Sequence, residues 1–450
     1  MMQSKIIEEI QSYKNVAILG FGREGISTYN FIRKYDKSFP LTILDAKDIT
    51  LDDNKVTIKK YNNSIDELLE YDLIIKTPGI SFAHFDQDVL NEKLKGKITS
   101  QMELLLKYNR EHVIGITGTK GKSTTSTLIY DILKDQLDNV FLVGNIGIPV
   151  FDKIDDFGDG IIVAEMSSHQ LEFVNNSPHI SIILNLFIDH LDHTGSILNY
   201  HNAKLNIARY QSEDDIFIYD ADNSYLNSYD LSIFKGKKYT VSSVSNSASI
   251  YLDNDLNIKY NDKSIVHKND IITQLQGDHN LKNIMFALLV SELFNLDINK
   301  TLESIKNFKP LEHRLEYFAT VKGIKFYDDA IATIPEATIN ACRTLKDVDT
   351  LIFGGMDRGI DYTPLINYLK ESNINNFICM PETGYKIAEF LDESKVIKAE
   401  TLEDAVKKAF DVTKEGTTCL LSPAASSYNY FKNFEEKGNK FKELVNNYNE

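Results

Sequence analysis

The chain has 450 residues, of which 42% are hydrophobic and 25% charged, the composition of a folded protein with about three domains. Its formal net charge of −16 comes without a block of basic residues, which argues against nucleic acid as a partner. No apolar run is long enough to span a membrane and residues 1–14 do not resemble a secretory signal, so we expect a cytoplasmic protein without membrane insertion.

The first region, residues 1–108, is predicted to be a Rossmann-like α/β domain. The apolar segment 15–20 predicts a buried strand, followed by a glycine-rich turn and a helix. Two further strands, 41–44 and 72–76, end in polar or glycine-containing turns. Since ligands of such sheets bind at the carboxyl ends of the strands, we expect a ligand near the glycine turn 20–25 and the Thr-Pro-Gly turn 77–79.

Three interpretations of this glycine turn remain open on the motif alone. The glycines and the acidic Asp45 fit a nicotinamide or flavin dinucleotide, with the acid on a ribose. They also fit another nucleotide linked through a diphosphate. A tight turn without any ligand is the third possibility.

The second region, residues 109–308, is predicted to be a P-loop-type ATP-binding α/β domain. An apolar strand over 113–117 leads into a glycine turn, then Lys122 and Ser123, then a helix. Backbone amides of such a turn surround phosphate oxygens, the lysine adds a positive charge, and the hydroxyl binds Mg²⁺. The usual pattern has a glycine where this chain has Ile116. The predicted ATP-binding residues of the loop are Gly118, Thr119, Lys120, Gly121, Lys122, Ser123 and Thr124.

Further polar groups follow in the same region. Glu165 ends a predicted strand over 161–165, a position that suits Mg²⁺. Histidines and aspartates at 189–193 lack the cysteines and spacing of a structural zinc site, which favours support of a metal–phosphate site. Lys204 lies on the inner face of a predicted helix, although a single lysine is usually solvated. Asn280 and Asn283 begin another helix, where they cap the backbone or bind an adenine.

The third region, residues 309–450, is predicted to be a second Rossmann-like domain. Strands near 324–327, 350–353, 376–380 and 417–421 alternate with helices, and polar segments follow the strands. The acidic segment 433–438 is typical of a solvated helix. The three cysteines of the chain lack metal-ligand spacing, and we expect them to be buried, reduced thiols.

Taken together, motifs in all three regions resemble the Mur ligase family, in particular its members that add glutamate to UDP-N-acetylmuramoyl-L-alanine. Each motif is modest alone, but their order and spacing are specific. They are Thr-Gly-Thr-x-Gly-Lys-Ser at 117–123, Gly-Asn-Ile-Gly at 144–147, Glu-Met-Ser-Ser-His-Gln at 165–170, the segment 185–192, Ala-Lys at 203–204, Gly-x-His-Asn at 277–280, His-Arg-x-Glu at 313–316, Leu-Ser-Pro-Ala at 421–424 and Phe-Lys-Asn-Phe at 431–434.

The resemblance implies an ATP-dependent ligase of peptidoglycan precursor synthesis. In such a reaction a substrate carboxylate attacks the γ-phosphate, and an amine then displaces phosphate from the acyl phosphate. The implied substrates are UDP-N-acetylmuramoyl-L-alanine, glutamate and ATP, and the implied metal is Mg²⁺, bound as two ions.

The resemblance also assigns catalytic and metal-binding roles. Lys122 and the loop amides would hold the β- and γ-phosphates, while Ser123 and Glu165 would bind one Mg²⁺. Lys204 matches a lysine that is carbamylated, so that a cation becomes a carboxylate analogue at the second Mg²⁺. His190 matches a residue at that same metal. Lys122, Lys204 and His190 are therefore the predicted catalytic residues.

The remaining matches concern the substrates. In this family the first domain holds the diphosphate of the UDP substrate and not a nicotinamide. On that interpretation Gly22, Arg23, Asp45, Thr77, Pro78, Gly79, Asn145, Ser167 and Gln170 are expected to contact the UDP-linked substrate. The expected nucleotide contacts outside the phosphate loop are Asn280, Asn283, Arg314 and Asp329, and the expected glutamate contacts are Thr333, Arg358, Ser427 and Phe434.

Some positions depart from the family pattern. Lys120 stands where asparagine is usual, and Arg358 stands where lysine often occurs. Arginine binds a carboxylate through two parallel hydrogen bonds, so this exchange is compatible with glutamate. A related branch of folylpolyglutamate-type ligases adds L-glutamate and shares patterns like those at 333–335 and 357–359. We favour D-glutamate and keep as alternatives the same reaction with L-glutamate, or another Mur or folylpolyglutamate-type ligase.

Two other protein classes compete with a ligase. A nicotinamide-dependent oxidoreductase would use the first glycine turn but leaves the phosphate loop, Glu165 and Lys204 without a role. An ATP-binding regulatory protein or scaffold would bind the nucleotide without turnover. For the ligase itself we expect a monomer.

Overall fold

The computed structural model describes residues 2–94, 96–146, 148–188, 195–275, 277–309, 311–428 and 430–448. In these ranges the chain forms three β-sheets with helices between their strands, as predicted for an α/β protein. The chain divides into two compact units, Met1–Ile272 with Lys282–Asn307 and Thr273–Leu281 with Phe308–Glu450. No helix among the described residues is both long and apolar enough to cross a membrane.

The first sheet is parallel and doubly wound, as the sequence predicted. Its strands are β1 Val16–Leu19, β2 Leu41–Asp45, β3 Val56–Lys60, β4 Leu73–Lys76 and β5 Ile98–Thr99, and its helices are α1 Met2–Gln11, α2 Arg23–Tyr35, α3 Ile65–Leu68, α4 Gln87–Leu94 and α5 Gln101–Asn109. The strand order is β3-β2-β1-β4-β5. Because β1 and β4 are neighbours, the loops that follow them meet at one edge of the sheet.

The central sheet combines parallel strands with an antiparallel extension. Its strands are β6 Val113–Thr117, β7 Val140–Gly144, β8 Ile161–Glu165, β9 Ile180–Ile183, β10 Ile216–Asp220, β11 Lys237–Ser242, β12 Ile250–Leu252, β13 Asn257–Tyr260 and β14 Lys263–His267. The order is β14-β13-β12-β11-β10-β9-β6-β8-β7, with antiparallel pairing only where β13 joins β12 and β14. The entirely buried β6 lies between β8 and β9, so the carboxyl ends of these three strands are adjacent.

The two predicted lysines of this region, Lys122 and Lys204, lie on helices beside the central sheet. The helices of the region are α6 Lys122–Lys134, α7 Val150–Lys153, α8 Ser168–Leu171, α9 Ile197–Arg209, α10 Ser224–Asn227, α11 Asp278–Leu293 and α12 Ile298–Asn307. From the sequence we also expect a strand over 182–186, but β9 begins earlier and ends at Ile183. The residues directly after β9 form a loop that contacts the turn between β6 and α6.

The third sheet is parallel except at one edge. Its strands are β15 Glu316–Val321, β16 Ile324–Asp328, β17 Val348–Phe353, β18 Asn376–Cys379, β19 Val396–Lys398 and β20 Thr418–Leu421, and its helices are α13 Pro335–Thr344, α14 Thr363–Glu371, α15 Thr383–Ala388, α16 Leu402–Val412 and α17 Phe434–Asn446. The order is β15-β16-β20-β17-β18-β19, with β15 antiparallel to β16. The loops after β16, β17 and β20 therefore share one edge.

Two sequence expectations about this region have different outcomes. The three cysteines are buried thiols, as expected, and burial raises the pKa of Cys379 to about 12. The prediction of a solvated helix over 433–438 is wrong, because Lys437 and Gly438 are buried. Lys437 lies on the same face of α17 as Phe441 and Val445, which pack into the core.

Candidate active site

The turn between β6 and α6 has the geometry of a phosphate-binding loop. Gly121 precedes the helix with φ of +84°, a left-handed conformation that favours glycine. A Cβ added at Gly121 would lie 2.7 Å from Asn283 Oδ1, so this turn has no room for a side chain. The amides that begin α6 are thus at the end of a buried strand, where a helix N-terminus attracts anions.

Asn185, which follows β9, holds this loop in shape. Its Oδ1 accepts hydrogen bonds from the backbone N–H groups of Thr119 at 3.1 Å and Lys120 at 2.9 Å, and its Nδ2 donates to the Lys120 carbonyl at 3.0 Å. Sequence reasoning assigned Asn185 no role. The available signal was an amide immediately after an apolar strand, but only the pairing of β9 with β6 places it beside the loop.

Two lysines converge on the carbonyl of Gly118. Lys122 Nζ donates to the carbonyls of Gly118 and Thr119 at 2.9 and 3.0 Å. Lys204 Nζ donates to Gly118 at 2.8 Å and lies 4.8 Å from the ring centroid of Tyr200. Lys204 is only 1% exposed, which confirms the predicted inward orientation and overturns the solvated alternative. The structure therefore brings both lysines to the phosphate loop.

Glu165 fits the binding of a divalent cation. It ends β8, beside Ile116 of β6, and is fully buried. Its Oε1 accepts from Asn145 Nδ2 at 2.6 Å, while Oε2 has no hydrogen-bond partner in the described part of the chain. A buried carboxylate oxygen without a donor is costly, and a cation would compensate it. Ser123, the other predicted ligand, is also buried.

Part of the predicted metal site lies outside the described residues. His190, which was assigned to the second metal, belongs to the segment 189–194, and so do the neighbouring aspartates. His201 is a different, buried histidine, whose Nδ1 lies 2.9 Å from Tyr229 Oη. Burial lowers the pKa of His201, which favours its neutral form.

The first sheet brings its candidate substrate residues together. Asp45 accepts hydrogen bonds from the backbone N–H groups of Phe21 at 2.6 Å and Lys47 at 2.8 Å, so its carboxylate holds the glycine turn. Thr77 Oγ1 donates to the Leu19 carbonyl at 3.0 Å, and a Cβ on Gly20 would clash with Thr77. The remaining candidates are at the same edge, since Gly22 and Arg23 begin α2 and Pro78 and Gly79 follow Thr77.

Ser167 and Gln170, two of the expected substrate contacts, form hydrogen bonds with each other, and Gln170 also bonds to the first domain. They form a capping box at the start of α8, in which Ser167 Oγ accepts from the Gln170 N–H. Gln170 Nε2 also donates to Glu24 Oε1 at 2.7 Å, which links the central sheet to the first. Lys76, which sequence reasoning missed, lies in this interface with its Nζ 3.6 Å from Glu172 Oε2. Burial lowers the pKa of Lys76 and raises that of Glu172.

The asparagines predicted to bind a nucleotide both lie inside α11, which begins at Asp278. Neither residue occupies the N-cap position, which precedes Asp278. Asn283 is buried, with its amide against Gly121 of the phosphate loop, whereas Asn280 is half-buried. The structure thus brings Asn283 to the loop.

In the second compact unit, Asp329 lies at the end of β16 close to Arg314. Its carboxylate accepts from Ser422 Oγ at 2.8 Å and from the Leu315 N–H at 3.1 Å. Burial raises the pKa of Asp329 to about 7, and the positive charge of Arg314 opposes this shift. The two predicted nucleotide contacts of this region are therefore electrostatic neighbours.

The predicted glutamate contacts come from several segments of the second unit. Ser427 is buried, and its Oγ has no hydrogen-bond partner within the described ranges. The guanidinium carbon of Arg358 lies 5.9 Å from the ring centroid of Tyr428, and the Met356 N–H donates to the Ser426 carbonyl at 2.8 Å. These contacts join the loops that carry Arg358 and Ser427. The half-buried Thr333 follows β16, and Phe434 begins α17.

Comparisons with known proteins give matches along most of the chain. The model of the Mur ligase middle domain matches residues 116–291, and that of the Mur ligase glutamate ligase domain matches residues 313–425. A protein of Clostridium tetani named UDP-N-acetylmuramoylalanine--D-glutamate ligase is 33% identical, covering 96% of this chain and 97% of that protein. A protein of Acetivibrio thermocellus with the same name is 32% identical, covering 96% of both chains.

Solved structures show the same fold. The UDP-N-acetylmuramate-alanine ligase MurC of Thermotoga maritima matches with a TM-score of 0.59 at 19% identity, covering 95% of this chain and 98% of that one. The MurF ligase of Thermotoga maritima, solved in complex with ADP, matches with a TM-score of 0.60 at 17% identity, covering 96% and 95%.

Proposed function

The chain belongs to the Mur ligase family, and we propose that it catalyses the ATP-dependent addition of D-glutamate to UDP-N-acetylmuramoyl-L-alanine in peptidoglycan synthesis. The observation that carries this proposal is the match to relatives of that name along nearly the whole chain. The family models cover the phosphate loop and Glu165, within 116–291, and Thr333 and Arg358, within 313–425. We further propose a monomer located in the cytoplasm, where ATP is available.

The first chemical step would be phosphoryl transfer to the substrate carboxylate. A carboxylate oxygen forms a bond to the γ-phosphorus while the bond to the β,γ-bridging oxygen breaks, which yields ADP and an acyl phosphate. Lys122 and the amides around Gly121 would hold the β- and γ-phosphates, because this step needs positioning and charge neutralisation. Mg²⁺ bound by Glu165 and Ser123 would supply further neutralisation of the phosphate oxygens. Asn145, bonded to Glu165, would place the UDP-linked substrate near that site.

Lys204 would act at the same site as a carbamate. Carbamylation converts its ammonium into an anion but leaves one N–H on Nζ, so the hydrogen bond to the Gly118 carbonyl can persist. The new carboxylate oxygens would be ligands for a second Mg²⁺, together with His190. The burial of Lys204 supports this proposal, since an unmodified ammonium is costly to bury.

The second step would be attack by the amine of glutamate. Its lone pair forms the C–N bond of the amide while the C–O bond to phosphate breaks. Phosphate leaves with the oxygen that came from the substrate carboxylate, and the nitrogen releases one proton to solvent. Arg358 would bind a glutamate carboxylate through parallel hydrogen bonds, and the hydroxyl groups of Thr333 and Ser427 would complete the pocket. The Ser427 hydroxyl, which has no hydrogen-bond partner among the residues that the structure describes, supports a ligand at this position.

Phosphate release in the presence of ATP, UDP-N-acetylmuramoyl-L-alanine and either glutamate isomer tests this function. We expect phosphate only when all three substrates are present, and with the D-isomer. Phosphate release with the L-isomer but not with the D-isomer would replace the proposal by the alternative of an L-glutamate ligase. ATP binding without phosphate release would favour the scaffold alternative, and stabilisation by NADH but not by the UDP substrate would favour the oxidoreductase.

A further inference from the structure

Lys437 is a buried cation for which the proposed reaction has no use. It lies in α17, is 2% exposed, and donates from Nζ to the Gly354 carbonyl at 3.0 Å. Burial lowers the pKa of Lys437 to about 7, and the charge of Asp328 opposes this shift. A lysine at a position of the helix that otherwise faces the core with Phe441 is costly, which indicates a role beyond filling space.

The carbonyl that Lys437 binds begins the loop after β17. The Gly354 N–H donates to the Pro423 carbonyl at 2.9 Å, and a Cβ at Gly354 would clash with the Met380 carbonyl. This loop continues to Arg358, and its Met356 N–H is bonded to the segment that contains Ser427. Lys437 thus holds the start of the loop after β17. That loop carries one predicted glutamate contact, Arg358, and is hydrogen-bonded to the segment that contains another, Ser427.

Gly438, the next residue of α17, packs against His313 and against Asp328 at the end of β16. A Cβ at Gly438 would clash with the pair formed by His313 and Asp328, whose Nδ1 and Oδ2 atoms lie 2.6 Å apart. Asp328 Oδ1 also accepts from the Ala330 N–H at 2.9 Å, at the start of the loop that leads to Thr333. Phe434, in the first turn of α17, has its ring centroid 6.1 Å from that of His313.

We propose that Lys437 is a positioning residue for the incoming amino acid. Its ammonium fixes the start of α17 against the loops after β16 and β17, so that Phe434, Thr333 and Arg358 face one pocket. This role concerns the glutamate contacts, because the described partners of the Lys437 ammonium, the Gly354 carbonyl and the charge of Asp328, lie beside the loops that carry them. The inference rests on the proposed function, since it requires glutamate to be the substrate of this region.

Steady-state kinetics of Lys437→Met test the proposal. Methionine keeps the length and apolar part of the side chain but removes the donor and the charge. We expect the KM for glutamate to rise about tenfold to hundredfold, the effect of losing one charged hydrogen bond. The KM values for ATP and the UDP-linked substrate should stay within about twofold of wild type, because uninvolved sites are unaffected. Lys437→Arg, which keeps a cationic donor, should recover part of the glutamate affinity.

Lys440→Met is the matched control on the same helix. Lys440 is more exposed and pairs with Glu443 at 3.1 Å, so its loss should change none of the three KM values. Equal changes in all three KM values for Lys437→Met, or no change at all, would overturn the proposal. If Lys437→Met does not fold, Lys437→Gln replaces it, and failure of both to fold would make Lys437 purely structural. Absence of glutamate-dependent phosphate release from the wild type would instead refute the proposed function.

Discussion

The phosphate loop and the predicted glutamate pocket are built in different ways. Around the loop, the side chains of Asn185, Lys122 and Lys204 are bonded to the loop's own backbone. In the third region, Ser427 has a hydroxyl without a partner in the described ranges, and the other predicted contacts belong to separate segments. The first site is therefore a short motif whose backbone is hydrogen-bonded directly to the side chains that support it. The second depends on how distant loops are held together.

Glu165→Gln should have the largest effect on the first of these sites. It removes the charge of the buried carboxylate predicted to bind Mg²⁺, and loss of several kcal/mol of such stabilisation lowers the rate by about 10³-fold. Phosphate release measured over a range of MgCl₂ concentrations checks this. Glu111→Gln, at a side chain that is 65% exposed, is the control and should leave the rate unchanged. A wild-type magnesium response in Glu165→Gln would exclude this metal ligand.

Lys204 allows the carbamate to be separated from a simple cation. If Lys204 is carbamylated, Lys204→Arg should be as impaired as Lys204→Ala, each by about 10²-fold or more, since arginine cannot form the carbamate. Carbon-13 NMR in labelled bicarbonate should show a carbamate signal in the wild type and in the surface control Lys134→Arg, but not in Lys204→Arg. Full activity of Lys204→Arg would instead assign Lys204 the role of a cation at Gly118.

Asn185→Ala should have a smaller effect, confined to the nucleotide. It removes the acceptor shared by the Thr119 and Lys120 N–H groups, which lets the loop relax. We expect the KM for ATP to rise about tenfold, as for the loss of one or two hydrogen bonds, with the KM for glutamate unchanged. Asn299→Ala, at an exposed position of α12, is the control. Parallel increases in both KM values would show that the two sites are not independent.

A separate expected effect, on stability and not on activity, is a pH dependence in the third region. Asp329 has a pKa raised to about 7 in the fold, so it binds a proton that the unfolded chain has lost, and stability falls as pH rises from about 4 to 7. Lys437 has a pKa lowered to about 7, so its contribution to stability increases from pH 7 upward. Each slope is at most about 1.4 kcal/mol per pH unit.

Thermal unfolding of two variants separates these slopes. The Tm of Asp329→Asn should lack the decrease that the wild type shows between pH 4 and 7. The Tm of Lys437→Met should lack the increase that the wild type shows above pH 7. The Lys440→Met variant, at a less buried position of the same helix, should follow the wild type at both low and high pH. If Asp329→Asn declines as steeply as the wild type, Asp329 is not the group that titrates there.

Local sequence patterns predicted the parts of the fold whose geometry is local. The glycine turn before α6, the strand that ends at Glu165 and the parallel first sheet follow from residue spacing alone. Lys204 was predicted to face inward from its helix, and it does. Its chemical role came only from the resemblance, because a helical pattern does not distinguish a buried lysine from a solvated one.

The residues that sequence reasoning missed depend on packing between distant segments. Asn185 supports the loop because β9 pairs with β6, and Lys76 is buried because α8 packs against the first domain. The burial of Lys437 had one signal in the sequence, its four-residue spacing from Phe441 on α17. The acidic residues before it favoured a solvated helix, and that local signal was misleading.

The central claim is that ATP activates the carboxylate of the UDP-linked substrate before glutamate attacks. Labelling that carboxylate with oxygen-18 tests it most directly, because one of its oxygens must leave with the phosphate. We predict one labelled oxygen in the phosphate released by the complete reaction with D-glutamate, detected by mass spectrometry. Unlabelled phosphate, released at the rate of amide formation, would contradict the account.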